Sequence, residues 1–521
     1  MRTLPGLIAL ALLLGTVGAA LTGLLAAGVS FSLPPLAYLK GVLGFTLLQA
    51  TLSTLLSLML GGAAALALAR RRNFPGRSLL VGAMNLASVL PAIVAVFGIV
   101  AVYGRSGWAG QLASLAGIET GSWLYGLPGI LIAHVFFNAP LAARVFLAAL
   151  NAIPAAHWRL AAQLGMKPYD IFRLVDRAVL LREATGVAAL IFLLCFTSFA
   201  IVLALGGGPG AATLEVAIYE AVRFEADLGR AAALAGLQIL ICGTLVLAMA
   251  RGTRRGGESA AVGAPVLRPD AASARMRLID MLVLCCMALL VLAPLAAMVV
   301  SGLASLGALL TAEVRDALLT SLGIGGAAGA LAVALALALG GLSAHVRLGL
   351  RRPSLADALG LVGLVIVIVP PFALITGLFV LLRRGFDPAD LAVPAIILIN
   401  GLMALPFALR QVEPPLMLAA ERHGRLAESL GIAGLDRLRL VDWPLLRRPL
   451  LDAFVVATAL SLGDLGVASF FGGSVTTLPL LLYQHLGAYR VDEAAAVALL
   501  LAALVFCLFL LADRLSGDRH A

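Results

Sequence analysis

The chain has 521 residues, 62% of them hydrophobic and 12% charged, with a net charge of +10. Soluble globular proteins are about half apolar and about a quarter charged, so this composition excludes an ordinary water-soluble fold and points to a lipid environment. Lys40 and Lys167 are the only lysines and no basic run is interleaved with stacking aromatics, so the positive balance reads as the loop bias of a membrane protein and not as a nucleic-acid surface.

A helix rising about 1.5 Å per residue needs about 20 apolar residues to cross about 30 Å of hydrocarbon. On that measure about twelve spans are expected. Six lie at 6–26, 43–69, 79–103, 125–149, 185–205 and 229–250, and six more at 278–301, 317–343, 355–382, 391–410, 453–473 and 492–512. The first run is too long for a signal-peptide core and no small-x-small cleavage site precedes polar sequence, so it is expected to remain a helix. Arginines cluster at 70–77, 159–182, 251–277, 347–352 and 410–448, all on one side if the chain starts inside. That asymmetry predicts an all-α, multi-pass inner-membrane protein with both termini cytoplasmic. Cys195, Cys242, Cys285, Cys286 and Cys507 all fall in apolar stretches with no CxxC spacing, and read as buried small hydrophobes.

The two sets of six resemble each other. Arg159-Leu-Ala-Ala-Gln-Leu-Gly165 and Arg425-Leu-Ala-Glu-Ser-Leu-Gly431 stand 266 positions apart, and the same offset pairs Pro140 with Pro406, Asp170 with Asp436 and Val175-Asp176 with Val441-Asp442. With small gaps, Leu90-Pro91 matches Val369-Pro370, Thr213-Leu214 matches Thr477-Leu478 and Tyr219 matches Tyr483. Polar, Gly and Pro residues held in register are not explained by chance similarity between Leu/Ala-rich helices. Six spans per set, an even number, give both halves the same orientation, hence a tandem parallel repeat. The expected organisation is a first membrane domain at 1–250, a cytoplasmic linker at 251–276, rich in Arg, Gly, Ala and Pro, and a second membrane domain at 277–521.

The loop between the fourth and fifth spans of each half carries the motif. Copy two reads Arg425-Leu-Ala-Glu-Ser-Leu-Gly431, then nine residues, then Val441-Asp-Trp-Pro444. This resembles the "EAA" loop of type I ABC import permeases, E-A-A-x3-G-x9-I-x-L-P, at Ala427, Gly431, Val441 and Pro444, and in copy one at Ala161, Gly165 and Val175. A short amphipathic helix ending at a Gly that tolerates left-handed φ suits docking into a partner's groove. Arg159 and Arg425 replace the family's acid and Ala178 stands at its proline, so an acid-based salt bridge to the partner is not available there. The resemblance implies a cytoplasmic ABC ATPase dimer as partner, which binds ATP and Mg, and alternating access driven by its closure. This chain has no Gly-Lys-Ser/Thr and so no phosphate loop of its own; it is expected to be a transport subunit without catalytic, cofactor or metal sites.

Leu90-Pro-Ala-Ile-Val-Ala-Val-Phe-Gly98, Val102-Tyr-Gly-Arg-Ser-Gly-Trp108, Ala161-Ala-Gln-Leu-Gly-Met166 and Thr213-Leu-Glu-Val-Ala-Ile-Tyr219 resemble the permeases of bacterial thiamine importers along the full length. That implies thiamine and its phosphates as substrate and a periplasmic thiamine-binding protein as second partner. Ferric iron permeases share the fused format and are the alternative substrate reading. Polar groups at membrane depth are costly, so His134, Ser198, Asn400 and Asp464 are expected either to line a translocation path or to hydrogen-bond between helices. A membrane enzyme would need a catalytic cluster, yet the six histidines are scattered and no HExxH or G-x-S-x-G occurs. An ion-coupled secondary transporter accommodates twelve helices in two halves but does not need two docking loops.

Overall fold

The computed structural model describes residues 3–27, 34–117, 121–252, 268–383, 385–387, 389–432, 436, 438–471 and 475–516, so that 253–267, most of the expected linker, lies outside the described residues. Among the described residues every regular element is helical. The first set is α1 (Leu4–Ala27), α2 (Leu36–Arg70), α3 (Arg77–Ala87), α4 (Ala92–Tyr103), α5 (Trp108–Leu115), α6 (Leu127–Asn151), α7 (Ala155–Gln163), α8 (Pro168–Ile171), α9 (Arg177–Phe196), α10 (Ala200–Leu205), α11 (Leu214–Arg223) and α12 (Leu228–Gly252). The second is α13 (Ala274–Ala304), α14 (Ala312–Ala344), α15 (Pro353–Ile368), α16 (Pro371–Leu382), α17 (Ala392–Ser429), α18 (Trp443–Leu462), α19 (Gly466–Phe470), α20 (Leu478–Gly487) and α21 (Val491–Ser516).

Among the described residues eleven helical segments are long and apolar enough to cross a membrane, one fewer than the sequence predicts. The difference is 355–382. Pro370 and Pro371 divide it into α15 and α16, of 16 and 12 residues, because proline has no N–H for the ladder and pushes the preceding residue out of the helical region. Pro91 divides the expected 79–103 span in the same way, into α3 and α4. The expected spans 185–205 and 453–473 are interrupted at 197–199 and 463–465. Conversely α17 runs on to Ser429, whereas the first set breaks between α6 and α7 at Pro154; the position 266 further on is Ala420, which lets the helix continue. Cys195 and Cys242 are buried as expected, but Cys285, Cys286 and Cys507 are exposed on α13 and α21, where a small apolar thiol suits hydrocarbon as well as a core.

Small residues set the helix contacts. α2 packs on α6 with Gly61 against Ala139 and Ala142, and α14 packs on α18 with Gly325 against Leu462. The first helix of each set crosses to the other. α1 lies against α16 and α14 as well as α12, and α13 lies against α4 and α2 as well as α21. A Cβ on Gly23 of α1 would run into the Gly377 carbonyl of α16, and one on Gly377 into that of Ala20. At the other crossing, a Cβ on Gly98 of α4 would stand 2.6 Å from the Pro294 carbonyl of α13. Two ten-residue helices are anchored alike: Leu214 N of α11 donates to Thr46 Oγ1 (3.1 Å), and Leu478 N of α20 to Ser321 Oγ (2.8 Å).

Filling the first of these crossings is expected to separate the helices. Gly377→Leu should cost about 1–3 kcal/mol, as overpacking does, seen as a lower thermal unfolding temperature of the detergent-purified protein. Gly15→Ala, with nothing within 4 Å of its Cβ, should leave that temperature unchanged.

Candidate functional site

The two motif loops fold as helix, glycine, helix. α7 ends with Gly165 at φ 61°, where Gly165 N donates to the Ala162 carbonyl (3.1 Å) and Met166 N to that of Ala161 (3.0 Å). This double closure is a Schellman motif, and its left-handed residue is why a glycine stands there. Gly431 at φ 66° ends α17 in the corresponding way, with Ile432 N donating to the Ala427 carbonyl (2.8 Å). Ala161 and Ala427 are both buried. Past the glycines the chain re-enters helix through π-helical turns at Phe172–Asp176 and Leu438–Asp442, which hold Val175 and Val441. Val175 packs against the small cluster of Trp158, Ala161 and Ile171. Arg159 is exposed on α7, Pro444 is exposed at the start of α18, and the side chain of Arg425 lies outside the described residues.

The motif rests on the small and turn residues of these loops, with Leu426 at its second position; the leucines form a further shared feature. Leu160, Leu164 and Leu174 are 53%, 67% and 66% exposed, and Leu426, Leu430 and Leu440, each 266 positions on, are 57%, 64% and 67% exposed. Large apolar side chains left exposed on a helical turn make a surface that another protein can cover. Their identical spacing is legible in the sequence, but in a leucine-rich chain it does not stand out as a surface.

Arg268, just before α13, ties the first of these loops to the helix ends. Its guanidinium forks onto Asp176 (3.0 and 2.7 Å) and Asp270 (3.1 and 3.0 Å), and lies 4.3 Å from the centre of the Trp158 ring. Arg70 Nη2 reaches Asp280 at 2.7 Å and Arg70 Nη1 reaches Asp270 at 3.6 Å, while Arg71 Nε donates to Asp280 (2.9 Å) and its Nη1 to the Ala271 carbonyl (2.6 Å). Three arginines and three aspartates thus balance in one buried network linking α2, the loop, the linker's end and α13. Burial opposes the charge on Arg268, but its hydrogen bonds to Asp270 and Asp176 outweigh that and hold its pKa above the usual arginine value.

The four polar candidates inside the helices have near partners. His134 Nδ1 of α6 lies 2.9 Å from Ser53 Oγ of α2. Asn400 of α17 donates to Ser461 Oγ of α18 at 2.9 Å and lies beside the Asp464 carboxylate. Asp464 accepts from Gly466 N (3.2 Å) and Val467 N (3.1 Å) and so caps α19, while Ser198 sits half-buried at the α9–α10 break, its N–H on the Cys195 carbonyl at 3.4 Å. The structure brings Asn400 and Asp464 together and gives His134 and Ser198 local partners of their own. Between the two sets it assembles an aromatic cluster that the sequence reading missed. Phe199, at the α9–α10 break, has its ring centre 4.3 Å from that of Phe372 in α16 and 5.2 Å from that of Tyr219 in α11. Phe470 of α19 continues the cluster to Phe372 (6.4 Å) and Phe379 (5.3 Å).

No protein-family model matches the sequence. The chain is similar along most of its length to several curated proteins. It is 42% identical over 485 residues to the thiamine transport system permease protein ThiP of Brucella abortus (strain 2308), covering 92% of this chain and 89% of that one. It is 43% identical over 489 residues to ThiP of Salmonella typhimurium, covering 93% and 90%, and 43% identical over 488 residues to ThiP of Escherichia coli K12, covering 92% and 90%.

Removing Arg268 would leave Asp176 and Asp270 buried without their shared cation. Arg268→Ala is therefore expected to cost about 3–5 kcal/mol, the usual loss when one member of a buried ion network is deleted. Arg268→Lys should recover only part of it, since an ammonium cannot fork onto two carboxylates. Thermal unfolding of the purified variants checks both.

Proposed function

The chain belongs to the thiamine transport system permease family, and we propose that it is the membrane subunit of an ATP-driven importer for thiamine and its phosphates. In this reading a periplasmic binding protein delivers the substrate and a cytoplasmic ATPase dimer, which holds the ATP and Mg, drives alternating access. The chain lies in the inner membrane with both termini cytoplasmic. Its two halves, 1–250 and 277–521, are parallel and joined by the linker at 251–276.

The observation that carries the proposal is the pair of glycine-ended loops, each presenting three exposed leucines at the same spacing. One such loop would suit any helical hairpin; two suit a partner that is itself a dimer. An apolar face laid into a groove is how one helix recognises another protein. Each loop runs directly into a membrane helix, α9 and α18, so closing the ATPase dimer would swing those helices and the breaks at their far ends. The aromatic cluster at these breaks then serves as the closed point of the path. Its rings also suit an aromatic cation, which aromatic faces attract. The full-length relatives carry thiamine in their names, which favours thiamine over ferric iron.

The test is uptake of labelled thiamine, with ferric iron in parallel, in cells expressing this chain with its genomically adjacent ATPase and binding protein. Thiamine should accumulate, stop when ATP is depleted and persist when the ion gradient is collapsed. Leu426→Asp puts a charge on the exposed docking face and should abolish uptake and ATPase co-purification while the chain still inserts. Iron uptake alone would move the substrate to the alternative, and uptake that follows the ion gradient would overturn the ABC reading.

A further inference from the structure

A groove of about 590 Å³ opens between the end of α2, the start of α3 and the first turns of α13. One wall is apolar, formed by Leu79, Leu80, Met281, Leu284 and Leu292. The other is cationic, with Arg71 and Arg277. Arg277 is exposed and has no carboxylate partner among the described residues. The Arg71 guanidinium is committed through Nε and Nη1, but its Nη2 is buried without an acceptor. A buried donor left unpaired is costly, so a ligand oxygen there would be favoured. The third side is the N-terminus of the eleven-residue α3, where Gly76 provides no side-chain cap. Leu79 of α3 is 64% and Met281 of α13 55% exposed, so the apolar wall continues onto the outer face of α13, a helix long and apolar enough to cross a membrane.

We infer that this groove binds an anionic phospholipid, its phosphate held between Arg71 and Arg277 and its acyl chains running along Leu79, Met281 and Leu284. A free anion has no use for the apolar wall, and a zwitterionic lipid gains less than an anionic one from the uncompensated charge of Arg277 beside the open Nη2 donor of Arg71; basic pockets between membrane helices favour anionic headgroups for this reason. The inference rests on the chain being a membrane protein and is independent of what it transports. Arg71 also holds Asp280, so an occupied groove would brace the same buried network that secures the first docking loop.

The test uses the purified full chain in detergent, with dioleoyl phosphatidylglycerol and dioleoyl phosphatidylcholine at equal concentration, and counts retained lipid by native mass spectrometry. Phosphatidylglycerol should be retained in preference. Arg277→Gln should weaken that preference by about fivefold, the factor one arginine near an anionic lipid is worth. Arg277 is exposed, so its loss leaves the fold intact, and thermal unfolding verifies this. Arg105→Gln, an exposed arginine outside the groove, should keep the preference. Equal retention of the two lipids, an unchanged preference in Arg277→Gln, or the same loss in Arg105→Gln would overturn the site. Inorganic phosphate binding with no gain from the diacyl lipid would assign the groove to a free anion and overturn it as well.

Discussion

A backbone amide in hydrocarbon has no water to turn to, so a helix can be interrupted at membrane depth only where protein surrounds the interruption. The architecture follows from where those interruptions lie. The breaks before Pro91 and Pro370, and those at 197–199 and 463–465, pack against one another across the two sets. A Cβ on Gly463 would meet Pro91 at 3.2 Å, and one on Gly466 would meet Phe372 at 2.9 Å and Phe199 at 3.4 Å. The Asp464 carboxylate takes up two of the freed amides. Irregular backbone, polar caps and aromatic rings therefore gather along the seam between the sets, which is where a polar substrate has any prospect of crossing.

Much of this was legible before any coordinates. Composition alone required lipid-facing helices, and a glycine repeated after two short polar helices predicted left-handed turns at Gly165 and Gly431. What hydropathy could not supply was the breaking of spans, because a window average is blind to a single proline inside an apolar run. It therefore merged α15 with α16 and α3 with α4. Nor could it say that α1 and α13 each leave their own set, since crossing depends on Gly23, Gly98 and Gly377, and glycine is abundant throughout the chain. The polar candidates were found as expensive groups, but expense does not distinguish a path residue from a cap. Asp464 caps a helix as well as lying beside Asn400.

The buried arginine–aspartate network gives the linker's end a position in the structure and not only a length. Asp176 belongs to the first glycine-ended loop, Asp270 and Arg268 to the segment just ahead of the second set, and Arg70, Arg71 and Asp280 to the two helices that segment lies between. A force applied at the first loop is shared at once with α2 and α13. Buried ion networks contribute little net stability compared with apolar packing but tolerate no missing member. Such a network resists partial rearrangement, and so favours movement of the loop, linker end and helix ends as one body.

The crossing of the first helices has a consequence for how the molecule is made. α16 begins at Pro371, more than 340 residues after α1 ends at Ala27. At about 5–20 residues per second, roughly 20–70 s of translation separate α1 from the surface it is shaped to meet. During that interval α1 has lipid for a neighbour, which is no penalty for a helix this apolar, and its glycines keep the future contact face flat. The order of synthesis thus sets an assembly order. The first set stays open on one side until the second set is inserted, and the permease closes only when α14 and α16 lock the first-made helix in place.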